Sequence, residues 1–210
     1  MNIGAQFYTI RDFCKNNDFF AESLKKVADI GYKYVQISGT CECDPRWLKE
    51  KLDKNGLKSV ITHTSADNIT GKTEEVIKNH DVFGCRHIGL GWYNFDVENR
   101  EENYNNFVNL YKPVAKKIKD GGKYFMYHNH HFEFIKIGGK TVFEKISEDF
   151  SNDELGFTLD TYWVQKAGAD PTCWLEKLAG RVPCIHLKDM TFDGKMAVIG
   201  EGNLNFDRIF

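Results

Sequence analysis

The sequence predicts an α/β fold: a parallel (β/α) barrel, the TIM architecture, lacking its eighth strand within this chain. Three observations lead there. Short β-rich runs alternate with longer amphipathic runs, seven strands in all. Side-chain parity gives most strands one apolar face and one face that turns polar toward the C-terminal end. No glycine-rich dinucleotide loop follows the first strand, which weakens an open doubly wound sheet. Polar groups gathered at strand C-termini are what a (β/α) barrel presents at its mouth.

The first strand is expected over Ile3–Thr9, with Gln6 and Tyr8 on one face and Ala5 and Phe7 on the other. Next comes an amphipathic helix in which Phe20, Leu24, Val27, Ala28 and Ile30 share a side, stopped by Gly31. The second strand, Tyr34–Ser38, sets Gln36 and Ser38 against Val35 and Ile37. Asp44 and Pro45 then supply an N-cap and a first helical turn, and Gly56 closes that helix. The third strand, Ser59–Thr64, opposes Ile61 and His63 to Val60 and Thr62; the fourth is His87–Trp92. Lys116, Lys117 and Lys119 read as the wet face of a further helix. The fifth strand, Tyr124–His130, sets Met126, His128 and His130 against Phe125 and Tyr127. The sixth, Gly156–Trp163, sets Thr158 and Asp160 against Phe157 and Leu159. Asp170, Pro171 and Gly180 repeat the Asp-Pro helix start and glycine stop. The seventh strand, Val182–Asp189, sets Cys184, His186 and Lys188 against Ile185 and Leu187. Met196–Ile199 reads as part of the following loop, and Asn205 as the cap of a terminal helix.

The 210 residues suit one domain spanning 1–210, a barrel incomplete at its C-terminal side, since a full barrel typically takes about 250. The net charge of −2 supplies no basic field for a phosphate backbone, so no nucleic-acid partner is expected. No apolar run has membrane-spanning length and no signal peptide is evident, so no membrane partner is expected. The six cysteines lack zinc or disulfide spacing, and Cys41 and Cys43 read as reduced loop thiols. A cytoplasmic location fits best.

The inward polar residues at strand ends are His63, His128, His130, Asp160, His186 and Lys188. A single buried histidine is usually hydrogen-bonded structure. Two imidazoles and a carboxylate on neighbouring strand ends, about 5 Å apart laterally, are instead a ligand set for Zn²⁺, Mn²⁺ or Fe²⁺. His128, Asp160 and His186 are therefore the expected metal ligands, while Asp160 taken alone equally suits a cap on the approach to the sixth helix or a pair with Lys188. Trp92 and Trp163 stand at strand ends, where they can wall a sugar-sized pocket or pack into the core. His131 has no assigned role; His80 belongs to a helix terminus, and His87 begins a strand.

The stretches "GAQFYTIRD", "YHNHHFEF", "LDTYWVQKAGADP", "HLKDM" and "GEGNLNF" resemble, in that order, the xylose-isomerase-like TIM barrel superfamily. They are most similar to its sugar phosphate isomerase/epimerase branch. The resemblance covers essentially the whole chain. It implies one divalent ion held by ligands from strands five to eight, with Asp160 and His186 at the strand-six and strand-seven positions. His128 occupies a place where many relatives carry Glu, and His130 one where dehydratase members carry a catalytic His. Glu133 lies where epimerase-like members contact substrate. Three departures stand out: Trp163 replaces a second His near the metal, Gln36 replaces a Glu, and the strand-eight ligand is absent. Glu201 belongs to the loop motif and is not assigned as the fourth ligand.

The resemblance implies a divalent-metal-dependent isomerase or epimerase of a sugar or polyol, abstracting a proton beside a carbonyl through a metal-stabilised enediolate. His130 or Glu133 would be the base, and Lys188 would hold an oxyanion or pair with a carboxylate. The substrate-binding candidates are Gln6, Tyr8, His63, Trp92, Trp163 and Glu201. A dehydratase-like lyase shares the same early chemistry. A non-catalytic sugar-binding or degenerate barrel also fits, whereas an endonuclease IV-like repair enzyme lacks its basic groove. A homo-oligomer is compatible with this reading.

Overall fold

The computed structural model describes residues 2–210. Among them the main sheet has seven strands. They are β1 (Gly4–Gln6), β2 (Tyr34–Ile37), β3 (Lys58–Thr64), β4 (His87–Leu90), β5 (Tyr124–His128), β6 (Leu155–Asp160) and β7 (Cys184–His186). Hydrogen-bonded neighbours follow chain order from β1 to β7. β1 with β2, β2 with β3, β3 with β4, and β6 with β7 pair in parallel. Sequential parallel strands joined by helical segments are the (β/α)-barrel pattern, with seven of its eight strands. No helix among the described residues is long and apolar enough to cross a membrane.

The chain divides into two compact units: residues up to Leu90 with Lys117–Phe125, and Gly91–Lys116 with Met126–Phe210. The first unit carries α1 (Asn17–Ile30), α2 (Pro45–Lys54), α3 (Ala66–Gly71) and α4 (Thr73–Val82). Asn16 and Asp44 cap α1 and α2, and Gly31 ends α1 in the left-handed region at φ 115°. Phe7, Phe20, Leu24, Val35, Leu48 and Leu52 close the core beneath them. The predicted first strand is cut short. Gln6 accepts the Tyr8 N–H with its side chain, and Phe7–Phe13 turns into a 3₁₀ helix. His80 is buried in the last turn of α4, donating from Nδ1 to Val76 O (2.7 Å) with Thr62 Oγ1 2.9 Å from Nε2. Burial pushes this imidazole down to about 4, so it is neutral structure.

The second unit holds α6 (Val142–Asp149), α7 (Thr161–Lys166), α8 (Pro171–Lys177) and α9 (Phe206–Ile209), which follow the long α5 (Arg100–Asp120). Its core is largely aromatic. Phe143 meets Phe157 edge-on at 5.0 Å and Trp174 at 4.7 Å, and Phe107 meets Tyr127 at 5.7 Å. Asn205 caps α9, as expected, and Met196–Ala197 pairs antiparallel with Asp189–Met190 in the excursion after β7. All six cysteines are free thiols.

Candidate metal centre

Three strand ends build the centre, all in the second unit. His128 is the last residue of β5, and Asp160 the last of β6. His186, the last of β7, sits directly beside Asp160 in the strand register. All three are buried, and each offers one ligand atom within 4.8 Å of the others. His128 Nε2 lies 3.1 Å from Asp160 Oδ2, His186 Nδ1 lies 3.6 Å from it, and the Lys188 ammonium 2.7 Å.

The hydrogen bonds around these groups suit a ligand set. His128 Nδ1 faces Gly91 O at 2.9 Å, and a carbonyl can only accept, so Nδ1 carries the proton. The other ring nitrogen, Nε2, faces a carboxylate oxygen, an arrangement that calls for a proton or a cation between them. A backbone carbonyl fixing the tautomer of a ligating histidine is the usual outer-shell device. Asp160 gives Oδ1 to the Trp163 N–H (3.2 Å) and its own N–H to Asn129 Oδ1 (2.9 Å). Burial alone would raise the Asp160 pKa. His128, His186 and Lys188 outweigh it and hold the carboxyl far below its ordinary range, so Asp160 is an anion. Burial likewise pushes His186 down to about 4 despite the opposing pull of Asp160, leaving it neutral as a metal ligand must be.

The profile of the xylose isomerase-like TIM barrel matches residues 24–210, most of the chain. The chain belongs to that family. No curated protein matches the sequence. Among solved structures, a sugar phosphate isomerase/epimerase from Parabacteroides distasonis is 22% identical, with TM-score 0.79 over 99% of this chain and 80% of that one. An AP endonuclease, family 2, from Brucella melitensis is 15% identical, with TM-score 0.73 over 100% and 86%. The probable 3-DHS dehydratase AsbF of petrobactin synthesis from Bacillus anthracis is 16% identical, with TM-score 0.71 over 100% and 87%. At these identities the shared property is the fold.

In this xylose isomerase-like chain the remaining candidates fall into distinct places. β5 ends at His128, so His130 stands in a turn rather than on the strand. Its ring packs edge-on against His128 (4.8 Å), stacks on Phe132 (5.2 Å) and leans on Trp163 (5.1 Å). Its Nδ1 is buried with no hydrogen-bond partner among the described residues. Burial, then the neighbouring His128, pushes its pKa down to about 3. Trp163 belongs to α7, not to the sixth strand, because Asp160 caps a helix that begins at Thr161. There it stacks on His131 at 5.2 Å and 21°.

Glu133 is fully buried. Its Oε1 accepts the Tyr127 hydroxyl (2.5 Å) and its Oε2 the His130 backbone N–H (2.8 Å), which ties the His130 turn to β5. Burial raises its pKa to about 8 against those two donors. The folded state therefore binds a proton that the unfolded chain releases above its ordinary 4.5. Stability from this group is full below that value and is lost as pH rises through about 8. Glu133→Gln is expected to flatten the pH dependence of urea unfolding between these limits, by about 1.4 kcal/mol per pH unit where it is steepest. An unchanged slope would mean that Glu133 is ionised in the fold.

Trp92 is 59% exposed after β4. Glu201 is exposed in a loop fastened by Asp189, whose carboxylate accepts the N–H groups of Met190, Gly200, Gly202 and Leu204. A Cβ on Gly202 would lie 2.3 Å from Asp189 Oδ1, so the loop closes only over glycine there. Gln6, Tyr8 and His63 belong to the first unit. Gln6 caps the 3₁₀ helix, Tyr8 lies under the Arg11 guanidinium at 4.4 Å, and His63 pairs in register with Gly89. Sequence reasoning missed Asn129, Thr161 and Asp189. Only Asn129 left a signal: a polar residue on the parity face that otherwise carries Phe125 and Tyr127.

Proposed function

We propose that the protein is a divalent-metal-dependent isomerase or epimerase acting on a sugar or polyol by removing a proton next to a carbonyl. One observation carries the reading: two buried imidazoles and a buried carboxylate, from three neighbouring strand ends, converge within 4.8 Å. His128 Nε2, Asp160 and His186 would hold the ion, and a mixed imidazole and carboxylate set suits Zn²⁺, Mn²⁺ or Fe²⁺. A bound ion there would supply positive charge that lowers the cost of an enediolate. The proton transfer falls to His130. Its Nδ1 has no partner among the described residues, and its ring is held against His128 and Trp163 by packing. Burial keeps that imidazole neutral, and an anion forming beside it would strengthen it as a base. Glu133 keeps the turn in place through the His130 N–H and is not exposed to substrate. Trp163 and His131 offer flat surfaces suited to sugar C–H faces.

The test is incubation of metal-loaded protein with candidate ketoses in D₂O, read by mass spectrometry. Deuterium at carbon next to the carbonyl, lost in His130→Ala, supports the reading. Loss of water in place of exchange would assign a lyase acting through the same first step. No exchange and no product with any ketose, from a protein that holds its metal, would point to a sugar-binding role.

A further inference from the structure

We propose that Lys188 and a divalent cation are alternative partners of the Asp160 carboxylate, so that entry of the ion releases the lysine ammonium into the site. This rests on the metal-centre reading above. Asp160 has one oxygen to share, because Oδ1 is engaged by the Trp163 N–H. The other, Oδ2, is where His128 and His186 converge, and the Lys188 ammonium is its nearest partner at 2.7 Å. A carboxylate oxygen can accept more than one contact, but a monovalent and a divalent cation crowded on the same buried atom repel strongly. One of them must leave.

The fold decides which. The three candidate ligands end rigid strands and are buried. Lys188 follows β7, and its side chain is 30% exposed. Its backbone cannot drift. The buried Thr161 hydroxyl donates to Lys188 O (2.6 Å) and accepts the Lys188 N–H (2.9 Å), so one side chain pins both main-chain groups of that residue. Only the four-carbon stem is able to move, and the Trp163 ring, 5.9 Å from Nζ while the ion pair is made, offers the ammonium an aromatic face to stay against once it leaves Asp160. Other charges do not take over its role at Asp160. Lys166 points to the Tyr162 hydroxyl at 2.9 Å, and His131 is stacked on Trp163. A released ammonium would meet an anionic oxygen of a substrate, so ion binding and presentation of this cation become one event. The ion pair also lowers metal affinity, because the lysine-bound conformer must first be broken.

The experiment measures Zn²⁺ and Mn²⁺ affinity by competition with a chromophoric chelator, for wild type, Lys188→Met, Lys188→Arg and Asp160→Asn, each checked for folding by circular dichroism. In parallel, amine-labelling mass spectrometry follows Lys188 in metal-stripped and metal-loaded wild type, with Lys166 as internal control. We expect Lys188→Met to bind about tenfold tighter or more, Lys188→Arg to stay close to wild type, and Lys188 labelling to rise on loading while Lys166 does not change. Equal or weaker binding by Lys188→Met, or labelling that does not respond to metal, would overturn the proposal. The labelling arm needs no variant, so a Lys188→Met protein that fails to fold leaves the test intact. Wild type that binds no ion at all would remove the metal centre itself, and this proposal with it. Binding abolished by Asp160→Asn but indifferent to Lys188 would remove the lysine alone.

Discussion

Asp160→Ala is expected to abolish retention of Mn²⁺ or Zn²⁺ and to cost about 4 kcal/mol of stability, the largest loss from any single residue of the centre. The carboxylate is fully buried and joins several parts of the site at once. Oδ2 serves His128 at 3.1 Å and Lys188 at 2.7 Å, while Oδ1 caps α7 through the Trp163 N–H. Removing the cap alone costs about 1 kcal/mol. Removing one partner of a buried ion pair costs about 3–5 kcal/mol. The lower end applies because the Lys188 side chain, 30% exposed, regains water, and because His186 is already neutral. Urea unfolding and metal content after gel filtration measure the two effects separately. A variant that unfolds like wild type and keeps its metal would contradict this account of Asp160.

Arg181→Ala is expected to destabilise the second unit by about 3–4 kcal/mol while sparing metal binding in the folded fraction. Arg181 is buried, and its guanidinium works as a clamp. It donates to Ser147 O (2.5 Å), Phe150 O (3.0 Å) and Leu155 O (2.8 Å from Nη2, 3.2 Å from Nε), and lies 5.1 Å over the Phe157 ring. These carbonyls belong to the end of α6 and the start of β6, the strand that delivers Asp160 at its far end. Alanine removes the guanidinium donors from all three carbonyls, and the bonds to Phe150 O and Leu155 O are buried. Arg181→Lys should recover little, because an ammonium lacks the planar fork that reaches all three carbonyls. Full recovery by Arg181→Lys in urea unfolding would show that the charge, not the fork, matters.

The convergence of His128, Asp160 and His186 was legible in the sequence because it depends on parity and strand ends alone. His128, Asp160 and His186 each close a strand, and the β6–β7 register places the last two side by side. What surrounds them was harder to read. "DTYW" carries β-forming Thr, Tyr and Trp and reads as strand, but Asp160 caps the N-terminus of α7 and the local cap overrides propensity. The strand pattern likewise runs on to His130, whereas β5 ends two residues earlier, before a turn held by Glu133 through a backbone N–H. Thr161 and Asp189 were silent because they act on main-chain groups, which no residue pattern reports. The residue pattern puts Gln6 and Tyr8 on a longer first strand, whereas the Gln6 side chain captures the Tyr8 N–H and turns the chain into a 3₁₀ helix.

Electron spin-echo spectroscopy of Mn²⁺-loaded protein tests most directly whether these side chains share one ion. Two coordinated imidazole nitrogens should modulate the echo. His128→Ala and His186→Ala should each remove one coupling, or the bound ion with it. Mn²⁺ bound without nitrogen coupling, or with coupling that survives both substitutions, would contradict the centre proposed for His128, Asp160 and His186.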